Sequence, residues 1–171
     1  MKIPFALSSV VLAASLLATV PADARPLQEP GSHLAIDVPD EWSVGTAGKY
    51  TRALSADNQF QLLVVPTGRA FTKGQEQVAE DHAMQFVREH VRDINITSHS
   101  HYVDWNNYVG YEIRGTGRTG ASNAPSKFFA MVLVDAHNSN KGVVAIGLGS
   151  DAGFDKHNAT IYNALHSLRA Y

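Results

Sequence analysis

A chain of 171 residues that is 44% hydrophobic and 18% charged has the make-up of ordinary globular protein, which excludes a disordered tail or a fibrous repeat. Its formal charge of −2 offers no basic field for phosphates or anionic lipid, so nucleic acid and membrane-surface partners are set aside. With no cysteine there are no disulfides and no lipid-modified N-terminus, and stability must come from packing.

The first twenty-four residues have the three-part layout of a Sec signal peptide. Lys2 is the positive start, residues 3–20 are apolar but diluted by Ser8, Ser9, Ser15 and Thr19, and Pro21 breaks the run before Ala22-Asp23-Ala24. The apolar stretch approaches the ~20 residues that span a bilayer, but the serines and the small-x-small site favour cleavage between Ala24 and Arg25 over an anchor helix. Nothing later in the chain is long and apolar enough to cross a membrane, so the expected product is periplasmic or secreted and is not a lipoprotein. The 147 residues from 25 to 171 can bury about two thirds of their unfolded surface, enough for one core. Residues 25–32, with Pro26, Pro30 and Gly31, read as a flexible lead-in to a single domain over 33–171.

Leu34, Ile36 and Val38 alternate with Ala35 and Asp37, a half-buried strand ended by Pro39-Asp40 and followed by Trp42. Residues 50–54 and 60–65 are two further strands joined by the turn-forming Ser55-Ala-Asp-Asn58, so the N-terminal third reads as a small antiparallel meander. From Thr72 the period changes. Thr72 and Gln75 form a capping box, and Ala79, Ala83, Phe86, Val87, His90 and Ile94 mark one face of a helix reaching about residue 92. Strands follow over about 97–105, 108–114, 127–135 and 142–148, the third so apolar that it should be covered on both faces. A last helix over 152–169, capped by Ser150 or Asp151, carries Phe154, Ile161, Leu165 and Leu168 toward the core. The expected class is α+β: a mostly antiparallel sheet of about six to seven strands with one main helix on each face.

The catalytic motifs fail on context. Gly115-Thr-Gly-Arg-Thr-Gly120 matches the dinucleotide pattern, but a strand follows it where a helix must open, so residues 115–125 read as a hairpin loop. Around Ser150 a leucine, Leu148, stands where a nucleophile elbow needs glycine, and Ser150 reads better as a cap. Asp151 and Asp155 suit the helix dipole rather than a paired acid and base. His99 and His101 lie two apart on a strand, hence on one face, where two imidazoles can begin a metal site that still needs further ligands. Tyr102, Trp105, Tyr108 and Tyr111 gather around one hairpin, a combination of stacking surface and polar handles that suits a ligand or, equally, cross-strand packing.

The run Leu34-Ala-Ile-Asp-Val-Pro-Asp-Glu-Trp42, with the later order of meander, helix, long antiparallel run and terminal helix, resembles PsbP-like domains. These comprise the extrinsic PsbP subunits of photosystem II, the Ran-binding Mog proteins and bacterial DcrB-type exported proteins. The resemblance covers about residues 33–169 and implies an α/β/α sandwich serving as a binding or accessory module. It carries over no active-site residue, and Trp42 maps only as the packing residue that closes the first strand. The expected function is therefore that of an exported, periplasmic, non-catalytic binding or accessory protein without a cofactor, meeting a protein or small molecule. The alternative is a metal-dependent enzyme or metal-binding protein using His99 and His101.

Overall fold

The computed structural model describes residues 23–72, 74–105, 107–120, 123–138 and 141–171, and of residues 102–105 the backbone alone. The signal-peptide stretch before residue 23 lies outside the described residues. The elements run β1 (Ala24–Glu29), β2 (Leu34–Pro39), β3 (Ser43–Ala47), β4 (Tyr50–Leu54), β5 (Phe60–Pro66), α1 (Glu76–Val87), β6 (Val91–Trp105), β7 (Tyr108–Thr119), β8 (Ala124–Asp135), β9 (Gly142–Gly149), α2 (Asp151–His166) and β10 (Arg169–Ala170). A seven-stranded sheet has the order β3-β4-β5-β9-β8-β7-β6, and a three-stranded sheet has the order β1-β2-β10. All of the strand pairs are antiparallel. The architecture is α+β, a mostly antiparallel sheet with two helices.

Period-two alternation divides the buried side chains of the large sheet into two sets. Phe60, Leu62 and Val64 of β5, Phe129, Met131 and Leu133 of β8, and Val143 and Ala145 of β9 cluster with Phe154, Ile161 and Leu165 of α2 and with Leu34, Ile36 and Val38 of β2. The alternate residues, among them Leu63, Phe128, Ala130, Val132, Val144 and Ile146, cluster with Ala79, Ala83, Met84 and Val87 of α1. Each fully buried apolar side chain of this size contributes about 1.5–3 kcal/mol relative to exposure, which is why β8 and β9 read as continuous apolar runs. Trp42 is buried in the first cluster, tilted against Phe60 and edge-on to His157, the packing role its place after β2 predicted.

Five local expectations need correction. Residues 24–29 are not a loose lead-in but a strand paired to β2, with Leu27 in the core. Pro26 is tolerated because β1 is an edge strand, and the Glu29 carboxylate closes the following turn by accepting from the Gly31 and Ser32 amides. The N-terminal meander is β3-β4-β5, whereas β2 belongs to the small sheet; β3 is an almost wholly exposed edge, so no apolar alternation announced it. The first helix is shorter than the span from 72 to 92. Thr72 N–H donates to Gln75 Oε1 at 2.9 Å, but Gln75 itself is the N-cap, and after Val87 the β-branched Val91, Ile94 and Ile96 carry the chain into β6.

Gly115 and Gly117 are strand residues of β7 rather than a loop. A Cβ at Gly115 would stand 2.5 Å from the Asn95 carbonyl oxygen, and one at Gly117 would stand 2.3 Å from Val91 Cγ1, so the glycines permit close approach of β6. The last helix stops at His166, and the chain then pairs with β2 as β10. Its start matches expectation: Ser150 is the N-cap, with Oγ accepting from the Gly153 amide at 3.0 Å.

Candidate functional site

Along β7 the side chains alternate, sending Tyr111 and Ile113 to the α1 side and Tyr108, Glu112 and Arg114 to the α2 side. Glu112 is only 1% exposed, a position that a carboxylate occupies only when it is hydrogen-bonded. The Tyr162 hydroxyl of α2 donates to it, and so does Arg114 Nε at 2.9 Å. The Arg114 guanidinium also lies over the Tyr162 ring, 5.0 Å from its centroid. Buried carboxylate and aromatic face together hold this arginine in one orientation.

Arg114 borders a groove of about 380 Å³ between α2 and the sheet, with Thr97 of β6, Thr116 of β7, Lys127 of β8 and Phe154, Asp155 and Asn158 of α2 around it. Lys127 Nζ sits 3.0 Å from Asp155 Oδ1, but the Asp155 side chain is 71% exposed, so the pair is a weak surface contact. A larger depression of about 510 Å³ lies where Asn107, Tyr108, Asp135, His137 and Arg169 meet. Its charged groups are engaged in structure: Asp135 accepts from the His137 and Asn138 amides, and Arg169 binds both oxygens of Asp37 at 2.6 and 2.7 Å. The groove beside Arg114 is therefore the stronger candidate.

The hairpin aromatics do not converge among the described residues. Tyr108 is buried in the cluster beneath α2 and Tyr111 in the cluster beneath α1, three residues apart and so on opposite faces. Burial raises the pKa of both hydroxyls, with Asp135 adding to the effect at Tyr108 and Glu76 at Tyr111. Trp105 stands opposite Tyr108 and Tyr102 opposite Gly110 in backbone register, while the side chains of Tyr102 and Trp105 lie outside the described residues. Of the proposed metal pair, His99 Nδ1 meets Glu80 Oε2 of α1 at 2.9 Å, and the His101 ring stacks on Tyr111 at 4.7 Å. No group of three or more His, Asp or Glu side chains able to hold a metal ion occurs among the described residues, so the metal reading has no ligand set there. Ala24 and Arg25, flanking the expected cleavage site, pair with Pro39 and Val38.

Other titratable groups join elements together. Glu89 accepts from Lys49 Nζ and the Tyr50 hydroxyl, which hold its pKa below the ordinary carboxylate value, while burial and Glu89 push Tyr50 well above the usual phenol range. Asp57 takes hydrogen bonds from Lys156, Ser55, His157 and the Gln59 amide, which hold its carboxyl far below normal and pin α2 to the β4–β5 turn. His90, beside Tyr50 and Glu89, has a buried Nε2 with no hydrogen-bond partner, and burial lowers its pKa. The unfolded chain then protonates His90 first. Its stabilising effect is present above pH ~6.5 and lost as pH falls through the lowered folded value. His90→Phe should thus flatten the decline in melting temperature between pH 7.5 and 5.5, and an unchanged pH slope would count against this account.

No family model matches the chain, and no curated protein matches it in sequence. Solved structures do match, and they define the class: the fold is that of the PsbP-like and Mog-type domains. Cyanobacterial PsbP from Synechocystis sp. PCC 6803 superposes with a TM-score of 0.58 at 11% identity, covering 93% of this chain and 99% of that one. The Saccharomyces cerevisiae Ran-binding protein Mog1p gives 0.56 at 5% identity over 87% and 96% of the two chains. LpqN, involved in cell envelope biogenesis of Mycobacterium tuberculosis, gives 0.55 at 9% identity over 85% and 89%. Identities this low establish the fold and nothing finer.

Sequence reasoning missed Glu112, Arg114 and Lys127 as a group. One signal was available: Glu112 and Arg114 are two apart on a strand whose first residues are otherwise apolar or aromatic, so a carboxylate and a guanidinium had to share a face.

Proposed function

We propose that the chain is an exported, periplasmic, non-catalytic binding or accessory protein whose ligand site is the groove beside Arg114. The observation that carries this reading is the contrast among its polar groups. Glu89, Asp57 and Asp37 are each held by two or more hydrogen bonds that tie separate elements together, whereas Lys127 has the exposed Asp155 as its neighbour and Arg114 lines the same open groove. Within the same proposal the domain is an α/β/α sandwich with one helix per face, a reading supported by the two buried clusters. Removal of the leader between Ala24 and Arg25 leaves the β1 register from Arg25 to Glu29 with the mature domain.

One neighbour is a Ran-binding protein and another is involved in cell envelope biogenesis, which supports a binding role and an envelope-linked one. The edge strand β6, which carries Tyr102 and Trp105, is the other contact surface, for a protein partner. Expression of the full chain in a Gram-negative host should give a periplasmic product whose intact mass begins at Arg25. Product retaining residues 1–24, or confined to the cytoplasm, would overturn export. A thermal-shift screen of the mature protein should find stabilising ligands whose effect Arg114→Gln abolishes.

A further inference from the structure

We infer that the groove beside Arg114 binds a carboxylate, and that Asp155 occupies the carboxylate position until the ligand displaces it. The inference rests on the binding-protein reading and names its ligand class. Arg114 pairs with Phe129 and Lys127 pairs with Thr116, so the two cations are diagonal neighbours on one face of adjacent strands. Residues so related stand roughly 7–8 Å apart, within reach of long side chains. Arg114 uses Nε for Glu112, and its terminal nitrogens make no hydrogen bond to the described residues, which leaves one edge of the guanidinium fork for a planar acceptor.

Charge narrows the class further. The buried Glu112 offsets Arg114, so once Asp155 swings away the remaining uncompensated charge is the single positive Lys127. A monoanion balances it, while a phosphate dianion would place excess negative charge beside Glu112. Asp155 already shows that a carboxylate fits, with Oδ1 at 3.0 Å from Lys127 Nζ. The volume of about 380 Å³ is within the range of small-ligand sites. The wall formed by Phe154 receives the apolar remainder of such a molecule. Both a free small acid and the C-terminus of a peptide present this chemistry.

The test is an NMR titration of the ¹⁵N-labelled mature protein with propionate, acetyl-Ala-Ala and acetyl-Ala-Ala amide. Both acids should move the resonances of Arg114 and Lys127, and the amide should not. Asp155→Asn removes the internal competitor and should tighten acid binding about two- to fivefold, as expected for loss of an exposed ion pair. Lys127→Gln and Arg114→Gln should weaken it about tenfold or more, as expected for loss of a charge-assisted contact. Should Arg114→Gln fail to fold, Lys127→Gln and Asp155→Asn carry the test, since Lys127 is only half-buried and Asp155 is exposed. Tighter binding of the peptide than of propionate assigns a protein C-terminus, and equal binding assigns free acids. If Asp155→Asn binds no tighter than wild type, or the amide binds like the acid, the inference is overturned. Neutral ligands that bind when the acids do not would sink the carboxylate assignment yet leave a binding protein; a screen without any binder would sink both.

Discussion

Gly147→Ala should lower the unfolding free energy of the mature domain by about 2–3 kcal/mol, a fall in melting temperature of roughly 5–10 °C. Gly147 lies on β9 between Leu62 of β5 and Phe129 of β8, at the centre of the sheet, where neither backbone can retreat. A Cβ there would stand 2.1 Å from Phe129 Cε1 and 2.7 Å from Phe60 Cζ, so two packed rings must leave their positions. Phe129→Ala alone should cost about 3–5 kcal/mol by opening a cavity. In the double variant the new methyl occupies part of that cavity, so the combined loss should fall clearly below the sum of the two. Gly45→Ala is the internal control: nothing lies within 4 Å of its Cβ position, and the exposed edge strand β3 should change by no more than about 0.5 kcal/mol. Strict additivity in the cycle, measured by urea unfolding, would refute the steric account.

The second large effect concerns the buried carboxylate. Glu112→Ala should destabilise the domain by about 2–3 kcal/mol, because Tyr162 and Arg114 lose the buried acceptor they share. Glu112→Gln keeps an oxygen for Tyr162 but turns an amide toward Arg114, and a loss of about 1–2 kcal/mol is expected. Glu112→Leu combined with Tyr162→Phe removes the tyrosine donor along with its acceptor and should recover part of the loss, the remainder being the Arg114 donor that also loses Glu112. The readout is again denaturant unfolding, with the slope checked for constancy. A loss below about 1 kcal/mol for Glu112→Ala would show that this carboxylate is not the tie between α2 and β7.

Much of the fold was legible because burial leaves a periodic trace. The alternation in Leu34, Ile36 and Val38, the uninterrupted apolar run of β8 and the stripe Phe154, Ile161, Leu165 each follow from one face meeting the core. Where no core face exists the trace vanishes. β3 is exposed nearly throughout, β10 is two exposed residues, and β1 has a proline within it, so none of the three was predicted as a strand. The glycines of β7 misled for a related reason, because their small size serves the approach of β6, a neighbour that local sequence does not name.

The site divides in the same way. Sequence singled out residues by type, the histidine pair and the aromatic hairpin, and the structure gives them separate neighbours: His99 to Glu80, His101 to Tyr111, and Tyr108 and Tyr111 to opposite clusters. The residues around the groove looked ordinary one by one. Composition and periodicity by themselves determined the α+β class, the paired apolar stripes and the Ser150 cap, because each depends on neighbours within a few positions along the chain. Only the tertiary structure decided that Arg114, Lys127 and Asp155 share one groove and that Glu112 is held by Tyr162, fifty residues away, because strand register and helix docking bring distant charges together.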